Sequence, residues 1–220
     1  VILFPMDRIK ITDLNPIPLP LPERAILSRL GGNRRLTAIA PAETARYRAW
    51  MLEALQAMRP RGRYAVCPIV RNDGEYLELA SGPVWRSAPL CALVGDAPLL
   101  WLGAVTLGGG VAELVAASRE DMARAVVCDA AGSECADQCM AILQQQAARM
   151  LSRRGYVLGL RRFSPGYGNL ALTAQREVFA LLDLPALGMA LTDSCIMLPE
   201  KSVTAVAPVF RREAVAAESQ

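Results

Sequence analysis

The segment Arg162-Phe163-Ser164-Pro165-Gly166-Tyr167-Gly168-Asn169 concentrates more usable chemistry than any other stretch of the chain. Pro165 and Gly166 force a turn, because one residue fixes its own φ and the other tolerates positive φ. Such a turn exposes amides and carbonyls between the Arg162 guanidinium and the Tyr167 ring. Arginine supplies a bidentate fork for a carboxylate. The set suits a zwitterionic, adenine-bearing small molecule. The same residues also make an ordinary structural turn, and the local sequence leaves both readings open.

The chain contains no histidine. This removes the Ser-His-Asp triad, the Cys-His nucleophile pair, the two-histidine zinc site and the usual near-neutral general base. It also means that the chain itself cannot offer an axial imidazole to a cobalt or haem centre. Six cysteines stand at 67, 91, 128, 135, 139 and 195, with no C-x-x-C pair among them. Cys128, Cys135 and Cys139 fall on one face of a helix. They could form a triple-thiolate site or serve as small buried hydrophobes, and the second reading is preferred because free cysteine is among the most buried residue types. No metal site is assigned. Gly108-Gly109-Gly110 could cradle an anion with backbone amides, but it has neither dinucleotide-fold nor P-loop spacing.

The chain has 220 residues, 24 basic and 21 acidic, with 53% hydrophobic and 20% charged positions. Folding a chain of this size buries about 70% of its extended surface, so a large core is attainable. All the basic residues except Lys10 and Lys201 are arginine. The acids are interspersed and no basic stripe carries aromatics, so neither a nucleic acid nor a membrane is expected as a partner. With no disulfide-like spacing and no long apolar run, a reducing, cytoplasmic setting is expected.

The elements that must position the turn can be read from periodicity. A short strand is expected over 8–12, and the opening Val-Ile-Leu-Phe should form or join a strand. Asn15 to Pro22 should be an extended polyproline segment packing its Ile and Leu on the domain. Helices are expected at Glu23–Leu30, Pro41–Met58 and Ser87–Val94, and a hairpin over 63–80 turning at Asn72-Asp73-Gly74. Leu99–Thr106 reads as a buried strand. A long helical region from about 119 to 153 should be capped near Ser118 and bent or interrupted at Gly132-Ser133. Then follow a strand at Tyr156–Leu160, a helix capped by Thr173 and running to Leu182, and strands at Met189–Thr192 and Ser202–Val209. The expectation is one α+β unit over 1–220 with a mainly antiparallel twisted sheet, flanking helices, an extended segment over 1–22 and a frayed tail over 211–220.

Four motifs in register give the chain a family resemblance. They are Thr106-Leu107-Gly108, Cys128-Asp129-Ala130-Ala131-Gly132-Ser133, Arg162 to Tyr167, and Leu191-Thr192-Asp193-Ser194 with Met197-Leu198-Pro199 and Ser202-Val203. In this order and approximate spacing the chain resembles the activation (reactivation) domain of cobalamin-dependent methionine synthase, and in particular its free-standing relatives. The resemblance covers roughly 100–206. It implies a protein that binds S-adenosylmethionine and docks on a cobalamin-binding methyltransferase or corrinoid protein, which receives an electron from a flavodoxin-like donor and is then remethylated.

By position, the resemblance implies that Arg162 pairs with the ligand carboxylate and that Ser164 and Gly166 contact the ligand through their backbone. It places Tyr167 near the ligand and the cobalamin face. Asp137 matches a ligand-binding acid, and its alternative is an exposed helical aspartate. Thr192, Asp193 and Ser194 are expected to shape the pocket. The chain departs from the family pattern in two places: a Pro-rich start replaces an aromatic-rich segment with a ligand-binding aspartate, and Ala205-Val206-Ala207-Pro208 stands where an aromatic is expected. Each lost contact would weaken affinity by about a kcal/mol. A second reading is therefore an interaction module that docks on a corrinoid protein without binding S-adenosylmethionine. A methyltransferase acting alone is disfavoured, since the chain has no glycine-rich Rossmann turn and no histidine base.

Overall fold

The computed structural model of the protein describes residues 10–31 and 41–212. In chain order it begins with β1 (Thr12–Leu14), α1 (Glu23–Arg29), α2 (Pro41–Ala57), β2 (Arg61–Asn72), β3 (Tyr76–Leu79) and β4 (Val84–Arg86). Next come α3 (Ala88–Val94), β5 (Leu99–Thr106), α4 (Gly110–Ala117), α5 (Met122–Ser152) and β6 (Tyr156–Leu158). The last are α6 (Gln175–Leu182), β7 (Ala190–Leu191), β8 (Met197–Leu198) and β9 (Ser202–Arg211).

All eight residues of β5 are buried, which explains their unbroken apolar run. Among the described residues the strand lies between β2 and β9 in a seven-stranded sheet ordered β4-β3-β2-β5-β9-β6, with β1 also pairing with β2, at its first residues. Every strand pairing among the described residues is antiparallel. Alternate β5 residues face opposite layers. Trp101 and Val105 join the core under α2 and α5, while Leu100, Leu102 and Ala104 join the core under α3 and α6. The fold is α+β, a mainly antiparallel sheet flanked by helices.

Local chemistry accounts for most element ends. The Ser87 side chain accepts from the Leu90 amide and caps α3. Asp73 Oδ1 accepts from the Glu75 and Tyr76 amides at 3.0 and 2.7 Å, closing the β2–β3 hairpin. In the proline segment Ile17 is buried and its amide donates to the Pro60 carbonyl at 3.0 Å. Gly31, at φ 84°, ends α1.

Several expectations are corrected. α5 is an unbroken helix of 31 residues that continues through Gly132. A Cβ at Gly132 would stand 2.9 Å from Val111 Cγ1 and 3.0 Å from Lys201 Cε, so this glycine makes room for neighbours and does not interrupt the helix. The cap of α5 is Asp121, whose carboxylate accepts from the Arg124 amide. Ser118 instead ends α4, its hydroxyl donating to the Leu114 carbonyl. Thr173 makes no side-chain cap, because a 3-10 turn over Leu172–Ala174 leads into α6.

Of the strand expected over 8–12, residues 8 and 9 lie outside the described residues, and the first described strand runs over 12–14; the short strands β4 and β8 had no periodicity long enough to reveal them. β6 ends at Leu158. The chain is still ordered at Arg211, which pairs with Tyr156, and the Arg212 amide donates to the Gly155 carbonyl at 2.9 Å. The opening Val-Ile-Leu-Phe and the tail beyond 212 lie outside the described residues. No described helix is long and apolar enough to cross a membrane.

Candidate functional site

The turn after β6 is fastened to β9. Phe163 and Val206 exchange two backbone hydrogen bonds, at 2.9 and 2.7 Å. The Ser164 hydroxyl donates to the Thr204 carbonyl at 2.7 Å. Within the turn, the Gly166 amide donates to the Leu170 carbonyl at 2.9 Å and the Tyr167 amide to the Ser164 carbonyl at 3.2 Å. Gly166 sits at φ 89°, a conformation that favours glycine. The amides at the apex are thus used internally, and a ligand contact at Gly166 would fall to its carbonyl.

This turn forms one wall of a cleft of about 830 Å³. Arg162, Ser164 and Tyr167 line it, together with Asp137 from α5. Four of the five candidate residues therefore face one space, and the fifth, Gly166, holds the turn's shape between two of them. The cleft is completed by α6, the chain leading into β9 and β9 itself, through Gln175, Cys195, Glu200 and Thr204.

The charged groups stand at the rim. Arg162 is exposed, and its Nη1 donates to Gln144 Oε1 at 3.3 Å. Gln144 is itself anchored, Nε2 donating to the Gly159 carbonyl at 2.7 Å. Asp137 is exposed, 3.9 Å from Arg29 Nη2. The hydrogen bond to Glu134 raises the Arg29 pKa above its ordinary value, and the nearby Asp137 charge adds to the effect. Glu200 is a second exposed acid on the rim. Two carboxylates and one guanidinium therefore line the mouth, with Arg29 beside one of the carboxylates.

The floor is neutral. Gln175, Cys195, Ser202, Thr204 and Ala205 are all buried there. Ser202 Oγ lies 2.9 Å from Thr106 Oγ1 and 2.6 Å from the Pro199 carbonyl, which ties the β8–β9 connection to the end of β5. Lys201 ties the same connection to α5, with Nζ 2.6 Å from Asp129 Oδ1 and 3.0 Å from Ser133 Oγ.

Thr192, Asp193 and Ser194 form a turn in which Thr192 Oγ1 accepts from the Ile196 amide at 3.0 Å. They stand behind the wall and deliver Cys195, Ile196 and Met197 to it. Cys128, Cys135 and Cys139 lie elsewhere, wholly buried on the core face of α5. Burial pushes their thiols up to about 11, 12 and 12. Among the described residues no group of three or more Cys, Asp or Glu is arranged to hold a metal ion.

Gln144, Gln175 and Glu200 escaped the reading of the sequence. Each follows the ordinary pattern of its own segment, and no local spacing connects residues from three distant stretches.

No protein-family model matches the chain, and no curated protein matches it either. Among solved structures, the chain is similar to a crystal structure of the MetH reactivation domain bound to AdoHcy, with a TM-score of 0.65 and 18% sequence identity. The match covers 92% of this chain and 79% of that one. At this identity the likeness is one of fold.

Proposed function

We propose that this protein binds S-adenosylmethionine in the cleft beside the 162–168 turn and presents it to a separate cobalamin-dependent methyltransferase, such as a methionine synthase, for reductive reactivation. One observation carries the reading. The turn whose sequence resembles the reactivation motif lines a ligand-sized cleft, in a fold shared with a domain solved with AdoHcy.

The residues present fit the group. Arg162 offers a braced guanidinium to the ligand carboxylate. Asp137 and Glu200 offer negative charge to the ammonium and sulfonium. Neutral, buried groups floor the space that a nucleoside would fill. When bound, S-adenosylmethionine supplies an electrophilic methyl group, which the partner's reduced corrinoid accepts, leaving S-adenosylhomocysteine.

This chain's own residues orient the sulfonium and shield one side of it, while the rim leaves the other side open to a partner. Tyr167 is 70% exposed and Ile196 56% exposed at the mouth, giving the partner an apolar surface to cover. A chain without histidine leaves cobalt ligation to that partner. The reading also places the protein in the cytoplasm, with a flavodoxin-like protein as electron donor to the complex.

The test is calorimetric titration of the protein with S-adenosylmethionine. Binding is expected, and Arg162→Ala should weaken it by tenfold or more, since a charge-assisted hydrogen bond contributes about 1.5–3 kcal/mol. A folded wild-type protein that gives no binding heat would overturn the reading.

A second reading has its own support in the structure. Ala205 and Ala207 present no aromatic ring where the resemblance calls for one, yet the apolar rim is intact. A docking module that no longer uses the ligand would keep that rim. It predicts capture of a corrinoid protein that is indifferent to added S-adenosylmethionine.

A further inference from the structure

Gln175 is 3% exposed, yet it lines the cleft. It opens α6, where the preceding 3-10 turn aims its side chain toward β9. Its Oε1 accepts from the Thr204 hydroxyl at 2.7 Å, and Thr204 is itself only 2% exposed. The Thr204 carbonyl takes the Ser164 hydroxyl at 2.7 Å, so Gln175, Thr204 and Ser164 form one connected set across the floor. With Oε1 on the Thr204 hydroxyl, the other end of the carboxamide is left over. Its Nε2, which carries two N–H donors, has no hydrogen-bond partner among the described residues.

Nε2 is not among the fully enclosed, unpartnered side-chain atoms of the described residues, so it opens onto the cleft that Gln175 lines. A donor held in place on a cleft surface, with no partner in the chain, is free to meet an acceptor on a ligand. The position also says which part of a ligand could do so. The charged groups Arg162, Asp137 and Glu200 stand exposed at the rim, whereas Gln175 lies on the neutral floor. A ligand with a charged end and an uncharged heterocyclic end places the second against Gln175.

We infer that Gln175 is a specificity-determining residue of this cleft: its Nε2–H donates to a ring-nitrogen or hydroxyl acceptor on the nucleoside half of the ligand. The inference rests on the S-adenosylmethionine reading above and adds which chain group recognises the nucleoside. Thr204 serves it as a positioning residue by occupying Oε1, so that the donor end of the carboxamide faces the ligand. The charged amino-acid half is left to the rim, which makes the two halves of the ligand separable in binding measurements.

The experiment titrates wild type, Gln175→Met, Gln175→Glu and Arg162→Ala with two probes, S-adenosylmethionine and 5′-methylthioadenosine, which lacks the amino-acid half. Both Gln175 variants should lose about tenfold in affinity for both probes, the loss expected for one buried hydrogen bond. Arg162→Ala should lose affinity for S-adenosylmethionine alone. Gln175→Glu retains an acceptor for Thr204 while removing the donor, so it decides the matter if Gln175→Met does not fold. Wild-type affinity in either folded Gln175 variant overturns the inference, as does a loss confined to S-adenosylmethionine. If the wild-type protein binds neither probe, the functional reading falls and this inference with it.

Discussion

Arg162 Nη1 donates to Gln144 Oε1 at 3.3 Å, and the amide end of the same Gln144 is held by the Gly159 carbonyl at 2.7 Å. A long, exposed guanidinium on a turn is thereby braced by a carboxamide from the middle of α5. Bracing matters because immobilising a free side chain on binding costs about 0.5–1.5 kcal/mol. Gln144→Ala should weaken S-adenosylmethionine binding by roughly three- to tenfold. Calorimetry on the variant checks this, and affinity equal to wild type would show that the brace has no role.

Gly166 should tolerate no side chain. At φ 89° an L residue is strained, and a Cβ there would also stand 3.2 Å from Leu172 Cδ1. Gly166→Ala is expected to cost about 1–3 kcal/mol of stability. Thermal unfolding reads this as a lower Tm. An unchanged Tm would mean that the turn relaxes freely.

The buried thiols make stability fall at high pH. Their ordinary value is 9.0, and burial holds Cys128, Cys135 and Cys139 up to about 11, 12 and 12 in the folded chain. Above pH 9 the unfolded chain gives up these protons while the folded chain keeps them, so unfolding becomes easier as pH rises toward 12. A variant with all three changed to Ala should show a shallower alkaline decline in Tm, from a lower starting value caused by lost packing. Parallel declines in the two proteins would assign the effect to other groups.

Gly103 underlies the Trp101 ring, leaving no space for a Cβ between strand and indole. Trp101 is fully buried at the centre of the sheet. Gly103→Ala should therefore destabilise by about 1–3 kcal/mol through overpacking. Denaturant unfolding measures this, and an equal midpoint would mean that the ring shifts without cost.

The sequence was most legible where short-range chemistry decides the outcome. The helix expected over Ser87–Val94, the Asn72-Asp73-Gly74 turn and the apolar run of β5 all appear where residue type and period place them. It misled where one residue has two uses. Gly132 looks like a helix breaker, but its missing side chain admits Val111 and Lys201 against an unbroken helix. Ser118 looks like the start of a helix and closes the one before it. In the cleft, Arg162, Ser164, Gly166 and Tyr167 share one contiguous motif and could be found together, and Asp137 came from the resemblance. Gln144 and Gln175 could not be found, because their roles depend on partners 18 and 29 residues away.

The chain alone determined that a turn falls here, since Pro165 fixes its own φ and Gly166 admits the positive φ that other residues resist, whatever surrounds them. It also determined that no imidazole is available for acid–base or ligand chemistry. Only the tertiary structure decided that this turn has a cleft beside it. That outcome required β9 to pair with both β5 and β6 and to seat Val206 opposite Phe163, which brings Thr204, Gln175 and Glu200 into one cleft with Arg162. Backbone restriction acts within a few residues. Strand pairing joins distant segments by burying both faces of a sheet, and no local pattern specifies which polar groups then meet across the gap.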